Sequence, residues 1–240
     1  MKNVIIGIAG QKNSGKDTVA SMINYIATVG CAAAKYEQWM IRKAAYDIKT
    51  RDKIIHFADS LKDCLSIIYD IPRKYFDNRR YKDELFYVLD ERRFITYEDC
   101  QRDSRYYIIE ISDLENTELS YILSRNIKTC VIKLRTLMQY FGTLCRENLY
   151  DSIWVDSTMR KSHSIAVDKG YCIIPDVRHK IEVDAIMKSS LYGGVIIIKR
   201  DNIRPEHSSE EIDFEGSNVI INDSTLMKLF YKVLNFMQNL

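Results

Sequence analysis

The chain has 240 residues, and its 35 lysines and arginines nearly balance 33 aspartates and glutamates, for a formal net charge of +2. So even a balance excludes a globally basic surface for sequence-independent nucleic-acid binding, and any phosphate site must be local. Six cysteines (Cys31, Cys64, Cys100, Cys130, Cys145, Cys172) lie far apart with no C-x-x-C and no histidine at ligand spacing, which argues against zinc or a disulfide framework and fits a reducing cytosol.

The first element begins at Asn3. An apolar run, a glycine-bounded loop and a lysine opening an amphipathic segment predict a strand, a phosphate loop and a helix with Val19, Met22, Ile23 and Ile26 on its buried face. Gly10 and Gly15 bracket four residues and Lys16 follows directly, the spacing of a Walker A loop. A loop with no bulky Cβ at its ends can curl its N–H groups inward, and the helix adds its positive dipole end, so polyphosphate is the expected guest. Lys16 then reaches the β- and γ-phosphates, and a hydroxyl at the helix start holds Mg²⁺. Asp17 stands where Ser or Thr normally follows the lysine, and the hydroxyl comes at Thr18; the competing reading is a plain strand–turn–helix in which Asp17 only caps. The opening apolar run is too short for a secretory segment and no stretch approaches a membrane span, so a cytoplasmic protein is expected, in the host cytoplasm if viral.

Residues 31–50 suggest further helix or loop without clear chemistry. KIIHF at 53–57 predicts a second strand, followed by Asp59 and a helix carrying Leu61, Cys64, Leu65 and Ile68 that Pro72 ends. From about 77 to 133 the rhythm changes: ELFYVL, RFITY and RYYIIEI resemble strands separated by charged stretches, an inserted strand-rich segment that contacts substrate or is a solvated sheet packing on the core or on a partner chain, as in a homodimer. A helix follows over Lys133 to Leu149, with Arg135, Gln139 and Gly142 on one face.

YCIIPDVR at 171–178, GGVIIIKR at 193–200 and NVIIND at 218–223 predict buried strands, and a last helix runs from Ser224 to about Met237, capped by Ser224 or Asp223. Strands alternating with helices imply an α/β chain with a doubly wound, mostly parallel sheet and ligands at the strands' carboxyl ends. Asp59, Asp176, Arg178, Arg200, Asn222 and Asp223 fall at those ends. Asp176 has the position of a Walker B carboxylate that binds Mg²⁺, although strand-end aspartates also simply cap turns. Arg200 to Gly216, almost without apolar residues, predicts a lid over a single 1–240 domain, with Arg200 and Arg204 facing the transferring phosphoryl group and His207 and Glu210 as latches; an ordinary solvated loop is the alternative.

Five stretches, GQKNSGKDT (10–18), HFADSLKD (56–63), LRTLMQYFGTLCR with Trp154, IIPDVRHKIEVDAI (173–186), and HSSE with NVIIND, run in the order found in the bacteriophage-type deoxynucleoside monophosphate kinases, which the chain resembles. That family also carries Gly-Lys-Asp-Thr in its loop. The resemblance implies a P-loop fold, ATP with Mg²⁺, and a deoxynucleoside monophosphate acceptor. It assigns Lys12, Gly15, Lys16, Asp17 and Thr18 to ATP, to which place in the loop and at a strand end adds Asn13, Ser14, Asn222 and Asp223 as expected ATP contacts. Lys12 also serves the monophosphate, together with Asp59, Lys62, Arg135, Gln139, Gly142, Thr143, Trp154, Arg178 and Glu182. Metal falls to Asp17, Thr18 and Asp176, and the reacting charge to Lys16, Asp176, Arg178, Arg200 and Arg204. The residue types suit these tasks: arginine grips phosphate bidentately, Gln139 reads a base edge, and Trp154 walls the base unless it is a core aromatic. Arg178 and Glu182 can alternatively form an i,i+4 salt bridge. The function expected is ATP-dependent phosphorylation of deoxynucleoside monophosphates; the alternatives are a P-loop kinase for another phosphorylated small molecule such as dephospho-coenzyme A, and a non-catalytic nucleotide-binding switch.

Overall fold

The computed structural model describes residues 3–11, 13–30, 35–39, 53–115, 117–125, 128–200 and 218–239. The first strand, β1 (Val4–Gly10), is buried at every position, and its loop leads into α1 (Lys16–Thr28). Residues 35–39 are helical, and Tyr36 and Trp39 pack around Tyr25 of α1. The KIIHF stretch does not form the full strand expected. Ile54 makes a single parallel bridge to Ile173, and the Ile55 N–H donates to the Ile173 carbonyl at 3.0 Å.

The chain divides into two compact units, Ala58–Ile153 and the remainder on either side of it. The Ala58–Ile153 unit begins with α2 (Asp59–Ile68), which buries Leu61 and Leu65. After Pro72 come α3 (Arg73–Asp77) and a π-helical turn, Arg80–Glu84. The strands β2 (Phe86–Val88) and β3 (Arg93–Ile95) pair antiparallel; α4 (Tyr97–Arg102), β4 (Tyr106–Ile109), α5 (Ile111–Glu115), α6 (Leu119–Arg125) and β5 (Thr129–Ile132) follow. Sheet order is β3-β2-β5-β4, with β4 and β5 parallel and β2 and β5 antiparallel. The three expected strands are present but short. RFITY ends early because the Thr96 hydroxyl and the Asp99 carboxylate close a capping box that starts α4, and Ile111 opens α5 instead of extending β4. The predicted helix is α7 (Leu134–Asn148), which packs on α2 and on the π-helical turn and buries Leu134, Leu137 and Gly142.

The other unit resumes at Trp154, one residue into α8 (Ile153–Lys169), and continues with β6 (Tyr171–Val177), α9 (Lys180–Met187), β7 (Tyr192–Lys199), β8 (Asn218–Ile221) and α10 (Leu226–Gln238). Its sheet is parallel throughout, in the order β6-β1-β7-β8. The strands read as unbroken apolar runs because both faces are covered. Val4, Ile6 and Ile8 point into a core with α1 and α10, through Val19, Met22, Ile23, Leu229, Phe230 and Val233. Ile5 and Ala9 point the other way, to α8 and α9, through Val155, Ala166, Val183 and Ile186. Each fully buried isoleucine contributes on the order of 1.5–3 kcal/mol to holding the layers together. Helices on both faces of a parallel sheet make this a doubly wound α/β arrangement. The cap of α10 is Thr225, whose hydroxyl accepts from the Lys228 N–H, rather than Ser224 or Asp223.

Candidate active site

The loop between β1 and α1 is shaped by two glycines for different reasons. Gly15 has φ +99°, in the left-handed region, and a Cβ there would lie 2.6 Å from the Asn222 amide nitrogen. A Cβ on Gly10 would meet the Ser14 hydroxyl at 2.5 Å and the Ile198 carbonyl at 2.8 Å. Because Gly15 has no side chain to cap α1, the first N–H groups of that helix are left to a ligand's oxygens. Three cationic or amide groups hold the loop by its carbonyls: Lys16 Nζ donates to Gln11 O at 3.3 Å, Arg200 Nη1 to Asn13 O at 3.3 Å, and Asn222 Nδ2 to Ser14 O at 2.9 Å. The Ser14 hydroxyl is buried and has no hydrogen-bond partner among the described residues. Asp17 is exposed and Thr18 half-buried on the first turn of α1.

At the end of β6 the register with β1 slips: Gly7 pairs with Ile174, but Ala9 pairs with Val177. One extra residue is accommodated at Pro175–Asp176, where the proline has no N–H to give the ladder. The bulge directs the Asp176 carboxylate to the Phe57 N–H, 3.1 Å away. Arg178, just beyond, is exposed, and its guanidinium makes no hydrogen bond among the described residues. Glu182 forms no side-chain salt bridge with it. Its carboxylate accepts instead from the backbone N–H of Arg178 at 2.6 Å and of His179 at 2.9 Å, closing a capping box at the start of α9. Burial pushes the Glu182 carboxyl up to about 7, with the nearby Asp176 charge adding to the effect and the two N–H bonds and Arg178 opposing it. Asp223 turns away to Lys232, at 2.8 Å, and that ammonium holds its carboxyl below the usual carboxylate range. Trp154 is half-buried in the first turn of α8.

The Ala58–Ile153 unit collects a different set. Asp59 opens α2 rather than closing a strand, and it lies 2.8 Å from Arg73 and 3.7 Å from Lys62. Arg73 also reaches Asp63 at 2.8 Å and Asp77 at 2.5 Å, while Lys62 pairs with Asp77 at 2.8 Å. On α7, Arg135 grips Asp83 of the π-helical turn with two bonds, 2.7 and 3.1 Å. Gln139 and Thr143 are exposed on that helix, and Gly142 is buried.

The family model described as deoxynucleotide monophosphate kinase matches residues 4–233, across both units. The chain belongs to the deoxynucleotide monophosphate kinase family. The kinase is therefore a phosphotransferase that phosphorylates deoxynucleoside monophosphates in an ATP-dependent reaction. No curated protein matches its sequence. No helix among the described residues is long and apolar enough to cross a membrane.

Of the residues expected at the site, Asn13, Ser14, Gly15, Lys16, Arg200 and Asn222 come together at the loop of this kinase, and Asp59, Lys62 and Arg135 share the charged cluster of the other unit. Lys12, Arg204, His207, Glu210 and the rest of the expected lid at 201–216 lie outside the described residues. Sequence reasoning did not single out Arg73, Lys82 and Asp83, which belong to the same charged cluster. Their only signal was a charge-rich stretch, which reads equally well as a solvated surface.

Proposed function

We propose that the P-loop binds the triphosphate of ATP, with Lys16 at the β- and γ-phosphates and Arg200 at the transferring group, and that the 5′-phosphate of the deoxynucleoside monophosphate is met by Arg135. The observation that carries this reading is the way Lys16 and Arg200 rest on backbone carbonyls of the loop, at 3.3 Å each. A cation on a neutral carbonyl loses little on moving to a phosphate oxygen, so Arg200 is poised for a nucleotide. Gln139 and Thr143, exposed on the helix of Arg135, are in keeping with reading the base.

Thr18, Asp17 and Asp176 are oxygen donors, the hard set that Mg²⁺ prefers. Among the described residues no three His, Cys, Asp or Glu side chains gather as a metal site. Bound there, Mg²⁺ would neutralise charge on the phosphoryl oxygens. The protein's own part is positioning: the N–H groups of α1 and Lys16 fix the donor, Arg200 supports charge that develops at the γ-phosphoryl, and Arg135 orients the acceptor. The acceptor oxygen is already anionic, so no general base is needed. Cytoplasmic location and the absence of nucleic-acid or membrane partners follow from this small-molecule reading.

Lys16→Ala tests the assignment. In a coupled ADP-release assay with the four deoxynucleoside monophosphates, turnover should fall by roughly a thousandfold while the melting temperature stays near wild type, because the lysine is a phosphate ligand and not a core group. A folded variant with near-normal turnover overturns it.

A further inference from the structure

Lys82 lies in the π-helical turn Arg80–Glu84, which packs against α3 and α7. Such single wide turns break the regular side-chain register and recur at functional sites. Its chain neighbour Asp83 is held by Arg135, and Lys62 is held by Asp77. Lys82 is the exception in this cluster. It is half-buried, and its ammonium has no hydrogen bond or ion pair among the described residues. Burial lowers its pKa first, and the charges of Arg135 and Lys62 lower it further, against a smaller opposing pull from Asp83 and Asp77.

A cation kept near other cations, partly out of water and with no carboxylate in contact among the described residues, weakens the fold, and an arriving anion reverses that penalty. Arg135 presents the complementary half. Asp83 occupies its Nε and one Nη2 donor, and the opposite edge of the guanidinium has no partner among the described residues. We propose that Lys82 is a substrate-binding residue that contacts the 5′-phosphate of the deoxynucleoside monophosphate together with Arg135. This rests on the assignment of Arg135 to the acceptor. The division of labour follows from the two side chains: the guanidinium fixes the phosphate's orientation through a fork, and the ammonium supplies a point charge that needs no fixed direction. A dianionic phosphate matches the pair in charge, whereas a nucleoside lacking the phosphate has nothing for either group to hold.

The test is steady-state kinetics on Lys82→Ala, Lys82→Met, Lys82→Arg and Arg135→Ala, using the monophosphate that wild type turns over fastest, with thermal melting alongside. Lys82→Ala should raise KM for the monophosphate tenfold or more and leave KM for ATP within twofold. Lys82→Arg should recover most of the loss. Lys82→Met, which retains the packing stem, should melt no lower than wild type while showing the same rise in KM, an outcome that a merely structural lysine does not give. An unchanged KM for the monophosphate in Lys82→Met, with KM raised in Arg135→Ala, overturns the role of Lys82 alone. If neither variant changes it, the assignment of Arg135 to the acceptor falls as well.

Discussion

The two units hold their cations in opposite ways. In the P-loop unit, Arg200 leans on a neutral backbone carbonyl of a loop that Asn222 also pins. In the Ala58–Ile153 unit, Arg73 is surrounded by Asp59, Asp63 and Asp77, and Arg135 is gripped by Asp83. A carbonyl dipole releases a cation at small cost; a carboxylate must be replaced by something equally charged. The first arrangement leaves charge available for a reaction. The second spends much of its charge on holding short elements together, and Lys82 is a half-buried cation there with no ion pair among the described residues.

The largest expected effect of this contrast is kinetic. Arg200→Ala should lower kcat by about a hundredfold, the scale of removing one preorganised charge from a developing oxyanion, with little change in melting temperature. A stopped assay at saturating ATP and monophosphate measures it. Normal turnover would mean that Arg200 only ties the loop and that the two units do not differ in the way described.

A smaller effect, in stability, is expected on the other side. Arg73→Ala leaves three carboxylates around one lost counter-ion, and with the side chain partly exposed the cost is about 1–2 kcal/mol by urea denaturation. Arg200→Ala provides the internal control, because its carbonyl partner can be hydrated in its absence. Equal destabilisation by both substitutions would erase the distinction between carbonyl-held and carboxylate-held cations.

The same contrast explains what could be read in the sequence. The P-loop is local: Gly10, Gly15, Lys16 and Thr18 sit within nine residues, so their spacing alone implies the geometry. The parallel strands were visible because burial on both faces makes them continuously apolar. What stayed hidden depends on pairings between distant residues. Asp83 and Arg135 are 52 positions apart, and nothing in either neighbourhood names the other. KIIHF looked like a strand by composition but keeps only its Ile54 bridge. Pro175 was a legible hint of the bulge that directs Asp176, and Glu182 stood three residues after His179, a capping-box spacing obscured by histidine in place of the usual hydroxyl or carboxylate.

Glu182 offers the mildest of these effects and a third way of holding charge, since its carboxylate is satisfied by backbone N–H groups yet lies buried beside Asp176. Its folded-state pKa is raised to about 7 from an ordinary value of 4.5. A raised carboxyl pKa means that the folded protein retains a proton the unfolded chain has released. The associated stability is therefore complete below pH 4.5, falls as pH rises through 7, and changes no further above that. Glu182→Gln keeps an oxygen that can accept from Arg178 and His179 and removes the buried charge. Wild type and variant should be about equally stable at pH 4.5, and the variant should gain relative to wild type by about 1–3 kcal/mol at pH 8. Urea midpoints at several pH values measure the difference, which cancels groups that titrate alike in both proteins. A difference that does not vary between pH 4.5 and 8 would show that the two backbone N–H bonds already compensate the buried charge, and Glu182 would then belong with the fully neutralised carboxylates of the Ala58–Ile153 unit.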